Sequence, residues 1–245
     1  MESVFNNGGV IGKRSVYSPA AAASIVSDNL ILHLDAVDTN SYSGSGTTWT
    51  DISGNGNDFT LDNASAFVSG SPNYMDFNGS YGAAQNSSDL ALSGDITYVL
   101  ATRIKESNSD WRTLTRGFGG DHHVIIQDGG YEIGMYDNDG AGFMGSGYNQ
   151  TQLPSYGTSD WIIMYFRWSG SSPYYELSYN DSPETIRGSI TNSSSQYNRG
   201  FGYLGSYQGS RQFWGDISTF LVYDRYLSDA ELQQNYDFLA SQIGL

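Results

Sequence analysis

Residues 30–61 read LILHLDAVDTNSYSGSGTTWTDISGNGNDFTL, and this stretch decides the fold. Leu30, Leu32 and Leu34 fall on one side of an extended segment, with Ile31 and His33 on the other, the period-2 pattern of a half-buried β-strand. Turn chemistry comes next. The runs SGSG at 43–46 and SGNGN at 53–57 combine glycine, which reaches positive φ freely, with asparagine, which tolerates it. Trp49, Ile52, Phe59 and Leu61 are the apolar anchors that pin the intervening chain to a core. The stretch is therefore scaffold before it is anything else.

Working outward, residues 95–104 (DITYVLATRI) alternate strongly and predict a central strand. Residues 73–81 read as a strand and turn. Short strands are expected at 111–116, 124–127, 131–136, 161–168, 174–179 and 197–204, separated by turn signals, with a polar loop at 105–110; this is the rhythm of a two-sheet sandwich. The glycine-rich segment 137–157 is the least regular part of the body and is expected to be a functional loop. One helix is predicted near the C-terminus: Ser228 and Glu231 form a capping box, Leu227 and Leu232 a hydrophobic staple, and Leu232, Tyr236, Leu239 and Ile243 a helical stripe.

Two blocks carry a family resemblance. The strand followed by LDA, a Gly/Ser turn and TTWTDISGNGND is similar to the first conserved block of laminin G-like, concanavalin A-like jelly rolls, particularly those in bacteriophage structural proteins. At the far end, GDISTFLVYDRYLSDAELQQNYDFLASQIGL (215–245) resembles the closing strand and C-terminal helix of the same group. Residues 76–79 (DFNG) resemble its second block. The likeness spans roughly residues 27–245 and implies an all-β, two-sheet antiparallel jelly-roll sandwich with a C-terminal α-helix. Residues 1–26, with Gly8, Gly9, Gly12, Pro19 and four consecutive alanines, read as an N-terminal arm, an attachment segment or a tail, ahead of a domain at 27–245.

Composition agrees with β architecture. Aromatic residues are 14% of the 245, with 19 Tyr and 5 Trp, there are 30 Gly, and charged residues are only 15%. These suit pleated surfaces punctuated by turns. The net charge of −15, with Lys13 and Lys105 as the two lysines, argues against sequence-independent binding to nucleic acid or anionic lipid, which needs cations to neutralise phosphate. With no cysteine, disulfides, thiolate metal sites and cysteine catalysis are excluded together. No apolar run approaches the roughly 18 residues of a membrane span, and residues 1–26 lack the basic n-region of a secretion signal.

The concanavalin A-like fold group includes glucanases, whose retaining mechanism needs two carboxyl groups about 5–5.5 Å apart, supplied in that branch by Glu-x-Asp-x-x-Glu on one strand. None of Glu2, Glu106, Glu132, Glu176, Glu184 and Glu231 is followed two residues on by an aspartate. Glu231 is taken up by the helix cap, and Glu132 and Glu176 are expected to face solvent. His122 and His123 would point to opposite faces of a strand and read instead as a surface pair in a loop. Asp137, Asn138 and Asp139 with Gly140 offer oxygen ligands in a tight turn suited to calcium, with Asp121 or Asp128 available to complete a shell; the same DNDG is also a common β-turn. Trp111, Tyr136, Tyr148, Tyr156 and Tyr207 are the aromatic candidates for stacking on sugar rings.

The expectation is thus a non-enzymatic bacteriophage virion structural protein, in capsid decoration or tail fibre, with a lectin-like domain that binds glycans or a host surface. The arm at 1–26 would contact other virion proteins, the protein would be localised to the virion, and homo-oligomerisation is left open. A secreted or cell-surface bacterial carbohydrate-binding module is one alternative, and a polysaccharide-degrading glycosidase or lyase a second.

Overall fold

The strands expected at 30–34 and 95–104 both form. The computed structural model describes residues 24–77, 82–85, 90, 92, 94–105, 110–118, 120–138, 140–191, 201–205 and 211–245. The first sheet runs β14 (Gly188–Ile190), β13 (Tyr175–Tyr179), β12 (Ile162–Trp168), β7 (Ile96–Ile104), β16 (Gly215–Tyr223), β5 (Tyr74–Asp76) and β4 (Phe67–Val68), with β1 (Leu30–Asp35) also on β16. The second runs β11 (Gly142–Asn149), β10 (Glu132–Asp137), β9 (His122–Ile126), β8 (Arg112–Arg116), β15 (Tyr203–Leu204), β6 (Ala83–Gln85), β3 (Phe59–Leu61) and β2 (Thr48–Trp49). All of these pairings are antiparallel. The two sheets stack face to face as the sandwich expected from the sequence.

The main core lies between them. From β7 it takes Ile96, Tyr98, Leu100 and Ile104, and from β12 Ile162, Met164, Phe166 and Trp168; the facing sheet adds Trp49, Phe59, Leu114, Val124, Ile126, Ile133 and Met135. The alternate residues of the same central strands, Val99, Ala101, Ile163, Tyr165, Leu221 and Tyr223, form a second core on the opposite face of the first sheet. There they meet Leu232, Leu239, Ala240 and Ile243 of the helix α1 (Asp229–Ile243). The strands β7, β12 and β16 are apolar on both faces because both faces are covered.

The helix begins where its capping box predicts. Ser228 and Glu231 exchange side chain-to-backbone bonds, and Gly244 ends it at φ 79°, a left-handed cap that glycine adopts without strain. Tyr236 is only half-buried, while the polar Asn235 is fully buried. Its Oδ1 accepts from Val26 N at 2.9 Å and from Tyr223 OH at 3.2 Å, which seats Val26, at the end of the segment read as an arm, on the helix.

The two sequence blocks that lie furthest apart in the chain are neighbours in space. β1 pairs with β16 from Leu30↔Tyr223 to Asp35↔Thr219. The other edge of β1 is closed by the turn at 51–58 instead of a strand. Asp51 accepts from His33 N at 2.9 Å, Ser53 N at 2.9 Å and Asn57 N at 3.0 Å. Asn55 and Asn57 donate their side-chain amides to the carbonyls of Leu30 and Ile31, and Ile52 N reaches His33 O. The DISGNGND run thus supplies the partners that an exposed strand edge would otherwise lack.

Beyond the helix, the outer face of the first sheet is closed by polar chemistry. The Arg103 guanidinium lies 4.7 Å from the Tyr74 ring centroid and 4.6 Å from that of Trp161. Its Nε donates to the buried Asp216 at 2.8 Å, and Lys105 reaches the other Asp216 oxygen at 2.9 Å.

One expectation fails outright. Residues 137–157 are mostly ordered elements: β11 occupies Gly142–Asn149 and a 3-10 turn Gln150–Gln152. Gly145, with Gly134 opposite it, marks close packing within the β10–β11 pair, which is bulged at Ile133/Gly134. A Cβ on Gly134 would collide with the Met144 carbonyl, and one on Gly145 with the Glu132 carboxylate; in a strand, glycine often signals this close approach. Of the predicted strand at 197–204, β15 and a bridge from Phe201 to Leu90 are formed, and residues 192–200 lie outside the described residues.

Candidate functional site

The outer face of the second sheet carries one lateral row that crosses all eight strands. Reading cross-strand partners in order, it runs Phe143, Tyr136, His122, Arg116, Tyr203, Ala84, Thr60 and Thr48. Directly paired residues project to the same face of a sheet, and the core-facing neighbours Phe59, Leu61 and Leu204 place this row on the side away from the core. From Phe143 to Tyr203 the row crosses five strands, roughly 19 Å at about 4.8 Å per strand.

Both ends of the five-strand stretch are aromatic and partly open. At one end Trp111 stands edge-on to Tyr136 (centroids 5.6 Å) and Phe143 (5.3 Å), and all three are half-buried. At the other, Phe118 packs on Tyr203 at 4.4 Å and keeps 43% of its surface exposed, while Arg116 lies 5.2 Å over the Tyr203 ring.

The middle of the row is closed. His122 is 1% and Arg116 3% exposed, and Asn138 is tied to Gly120 and Asp121 ahead of β9. Asn138 N donates to Asp121 Oδ1 at 3.0 Å and its side-chain amide to Gly120 O. His122 Nδ1 is 3.0 Å from Thr113 Oγ1. Burial, reinforced by the neighbouring Arg116, His123 and Arg211, holds the His122 pKa down to about 3, so its ring is neutral at neutral pH. His123 turns to the core and meets Tyr98 OH at 3.0 Å. The pair is therefore a buried strand pair on opposite faces, correcting the surface loop expected from sequence. Polar partners on each side, Thr113 and Tyr98, allow two adjacent histidines to be buried.

The candidate residues are distributed unevenly around this face. Trp111 and Tyr136 are brought together. Tyr148 is 7% exposed and points toward the seam between the sheets, its hydroxyl donating to Gln152 O at 2.9 Å and lying 3.1 Å from that of Tyr179. Tyr156 is half-buried against the core. Tyr207 and Asp139 lie outside the described residues. Asp137 accepts from Ala141 N at 2.9 Å, closing the DNDG turn on itself, and no cluster of three His, Cys, Asp or Glu side chains that could hold a metal occurs among the described residues.

The two strand glutamates sit on different sheets. Glu132, on β10, accepts from Gly147 N at 2.6 Å. Glu176, on β13, is half-buried, 3.3 Å from Arg167 and accepting from Tyr226 OH, so the expectation that it faces solvent is corrected: the buried Arg167 draws it in. Phe143, Tyr203, Phe118 and Arg116 were not singled out from the sequence. Strict alternation would have put Arg116 on the core face with Leu114, and the register shifts between β8 and β9 are what turn it outward; pairing Phe143 with Tyr136 required knowing that 142–149 is a strand.

No family model and no curated protein matches the chain. Solved structures do. Domain 4 of AbnA, a GH43 extracellular arabinanase from Geobacillus stearothermophilus in complex with arabinotriose, aligns over 84% of this chain and 97% of its own at 16% identity and TM-score 0.60. Trypanosoma rangeli sialidase aligns over 88% of this chain at 15% identity and TM-score 0.59, and the chain spans about a third (33%) of that protein's length. The botulinum neurotoxin serotype G binding domain aligns over 87% of this chain and 52% of its own at 16% identity and TM-score 0.57. At such identities the likeness is one of fold, and the chain is a two-sheet antiparallel β-sandwich with a C-terminal helix.

Proposed function

We propose that the protein is a non-enzymatic glycan-binding domain whose ligand lies along the aromatic row of the second sheet. The observation that carries this is the pairing of Phe143, Tyr136, His122, Arg116 and Tyr203 across neighbouring strands, with aromatic rings at both ends on a face that turns away from the core. Ring faces stack on the apolar faces of sugars while neighbouring polar groups orient hydroxyls. Neighbours described as a domain bound to arabinotriose, a sialidase and a toxin binding domain are compatible with it. The separation of Glu132 and Glu176 onto different sheets, each already engaged, supports binding over hydrolysis.

The finer setting rests on the resemblance of residues 30–61 and 215–245 to jelly rolls of phage structural proteins: a virion capsid-decoration or tail protein, attached to other virion proteins through residues 1–26. Titration against an oligosaccharide array followed by calorimetry tests the binding reading. Trp111→Ala should weaken binding at least tenfold, about 1.4 kcal/mol, with cooperative unfolding retained; unchanged affinity rejects the row as the site. Imaging of intact particles tests the virion setting. Calcium at Asp137, Asn138 and Asp139 is a secondary proposal: a chelator should lower the melting temperature, and no shift rejects a structural ion there.

A further inference from the structure

A second concave site lies on the other sheet. Three connections converge at one end of it: Asp95 just ahead of β7, residues 169–173 just after β12, and Tyr226 between β16 and α1. Between them is a cleft of ≈ 240 Å³ lined by Asp95, Ser169, Ser171, Ser172, Pro173 and Tyr226. Its aromatic wall is held on several sides. The Tyr226 hydroxyl donates to Glu176, and the Arg167 guanidinium lies 4.6 Å from the ring centroid. Arg167 is itself fixed by Leu227 O at 3.2 Å and Asp229 at 2.7 Å. The opposite wall is pinned by Asp95, whose Oδ1 accepts from Gly170 N at 2.9 Å, and by Ser171 N donating to Ser169 Oγ at 3.2 Å.

We propose that this cleft is a carbohydrate subsite for a single neutral pyranose ring, separate from the aromatic row. An immobilised tyrosine ring, a carboxylate and several hydroxyls within one small concavity match the mixed apolar and hydroxylic surface of a sugar, and ordering the ligand there requires little reorganisation of the protein. The volume is below the roughly 300–1,000 Å³ typical of larger ligand sites, so one ring is accommodated. The charge selects against acidic sugars. Asp95 lines the cleft, and the adjoining cleft that shares Tyr226 carries Glu176, Glu184 and Asp229 against the single cation Arg167, a balance that repels carboxylate and sulfate groups. The site does not depend on the reading of the aromatic row.

Saturation-transfer NMR on the full chain with methyl glycosides of glucose, galactose and mannose tests it. At least one should bind with a dissociation constant of about 1 mM, the weak end of specific recognition, and methyl glucuronide should bind at least tenfold more weakly. Asp95→Ala should weaken that binding at least tenfold and Tyr226→Ala, which removes the aromatic wall, should do the same, while Trp111→Ala, on the other sheet, should leave it within twofold; melting curves confirm that each variant is folded. Absence of signal with all three glycosides overturns the proposal. So does survival of the signal in folded Asp95→Ala, and loss in Trp111→Ala with retention in Asp95→Ala would assign the binding to the aromatic row instead.

Discussion

The outer faces of the two sheets both carry apolar side chains and end in opposite states. On the first sheet, Val99, Ala101, Ile163, Tyr165 and Leu221 are covered by α1, and the remainder is closed by Arg103 between Tyr74 and Trp161. On the second, Trp111, Tyr136, Phe143 and Tyr203 stay half-buried and Phe118 is 43% exposed, with no helix over them among the described residues. Aliphatic side chains and buried tyrosines such as Tyr165 and Tyr223 fill the covered face, and half-buried rings fill the open one. An aliphatic surface left open to water would be an aggregation hazard, whereas rings can serve water and ligand alike. The contrast separates a face spent on stability from a face available for recognition.

Substitutions on the two faces should therefore differ in kind. The largest effects belong to the covered face. Asp216→Ala leaves Arg103 and Lys105 without their buried partner and should cost about 3–5 kcal/mol by chemical denaturation. Leu239→Ala, at a fully buried helix–sheet contact, should cost about 2–5 kcal/mol. If either costs under about 1 kcal/mol, the outer face of the first sheet is not the stabilising one.

An intermediate effect is expected at the closed centre of the open face, through pH. The folded pKa of His122 is depressed to about 3, below the unfolded value of about 6.5. The unfolded chain then binds the extra proton, so this contribution is fully present above pH 6.5 and is lost as pH falls toward 3. The slope from this group reaches at most about 1.4 kcal/mol per pH unit. Between pH 6.5 and 4.5, above most carboxylate titrations, unfolding free energies of wild type should fall with acid while those of His122→Gln stay flatter; parallel curves would show that His122 is not buried neutral. The smallest effect is expected at Phe118→Ala, within about 0.5 kcal/mol in stability, and a larger loss would mean that the open end of the row is structural after all.

Legibility followed the range of the interactions. The strands at 95–104 and 161–168 were readable because both faces are buried in a fixed alternation, and α1 because its capping box, Ser228 with Glu231, is contained in four residues. Residues 137–157 misled because glycine carries two meanings: locally it signals a turn, and at Gly145 it permits β11 to approach β10. His122 and His123 misled for a similar reason, since their acceptability inside the protein depends on Thr113 and Tyr98 from other strands. Of the candidate aromatics, Trp111 and Tyr136 meet at 5.6 Å, whereas Tyr148, close by in sequence, faces the seam near Tyr179.

The sequence by itself determined the class of fold, the helix and its start, and the turn at 53–57, because alternation, capping and the turn preferences of glycine and asparagine are set by neighbours within a few residues. Only the tertiary structure decided that residues 30–35 and 215–223 share an edge, that Phe143, Tyr136, His122, Arg116 and Tyr203 form one row, and that Asp95, Ser169 and Tyr226 wall a common cleft. Those juxtapositions depend on strand register and on which loops meet at one end of a sheet. Both are fixed by packing between segments tens to hundreds of residues apart, where local pattern carries no information.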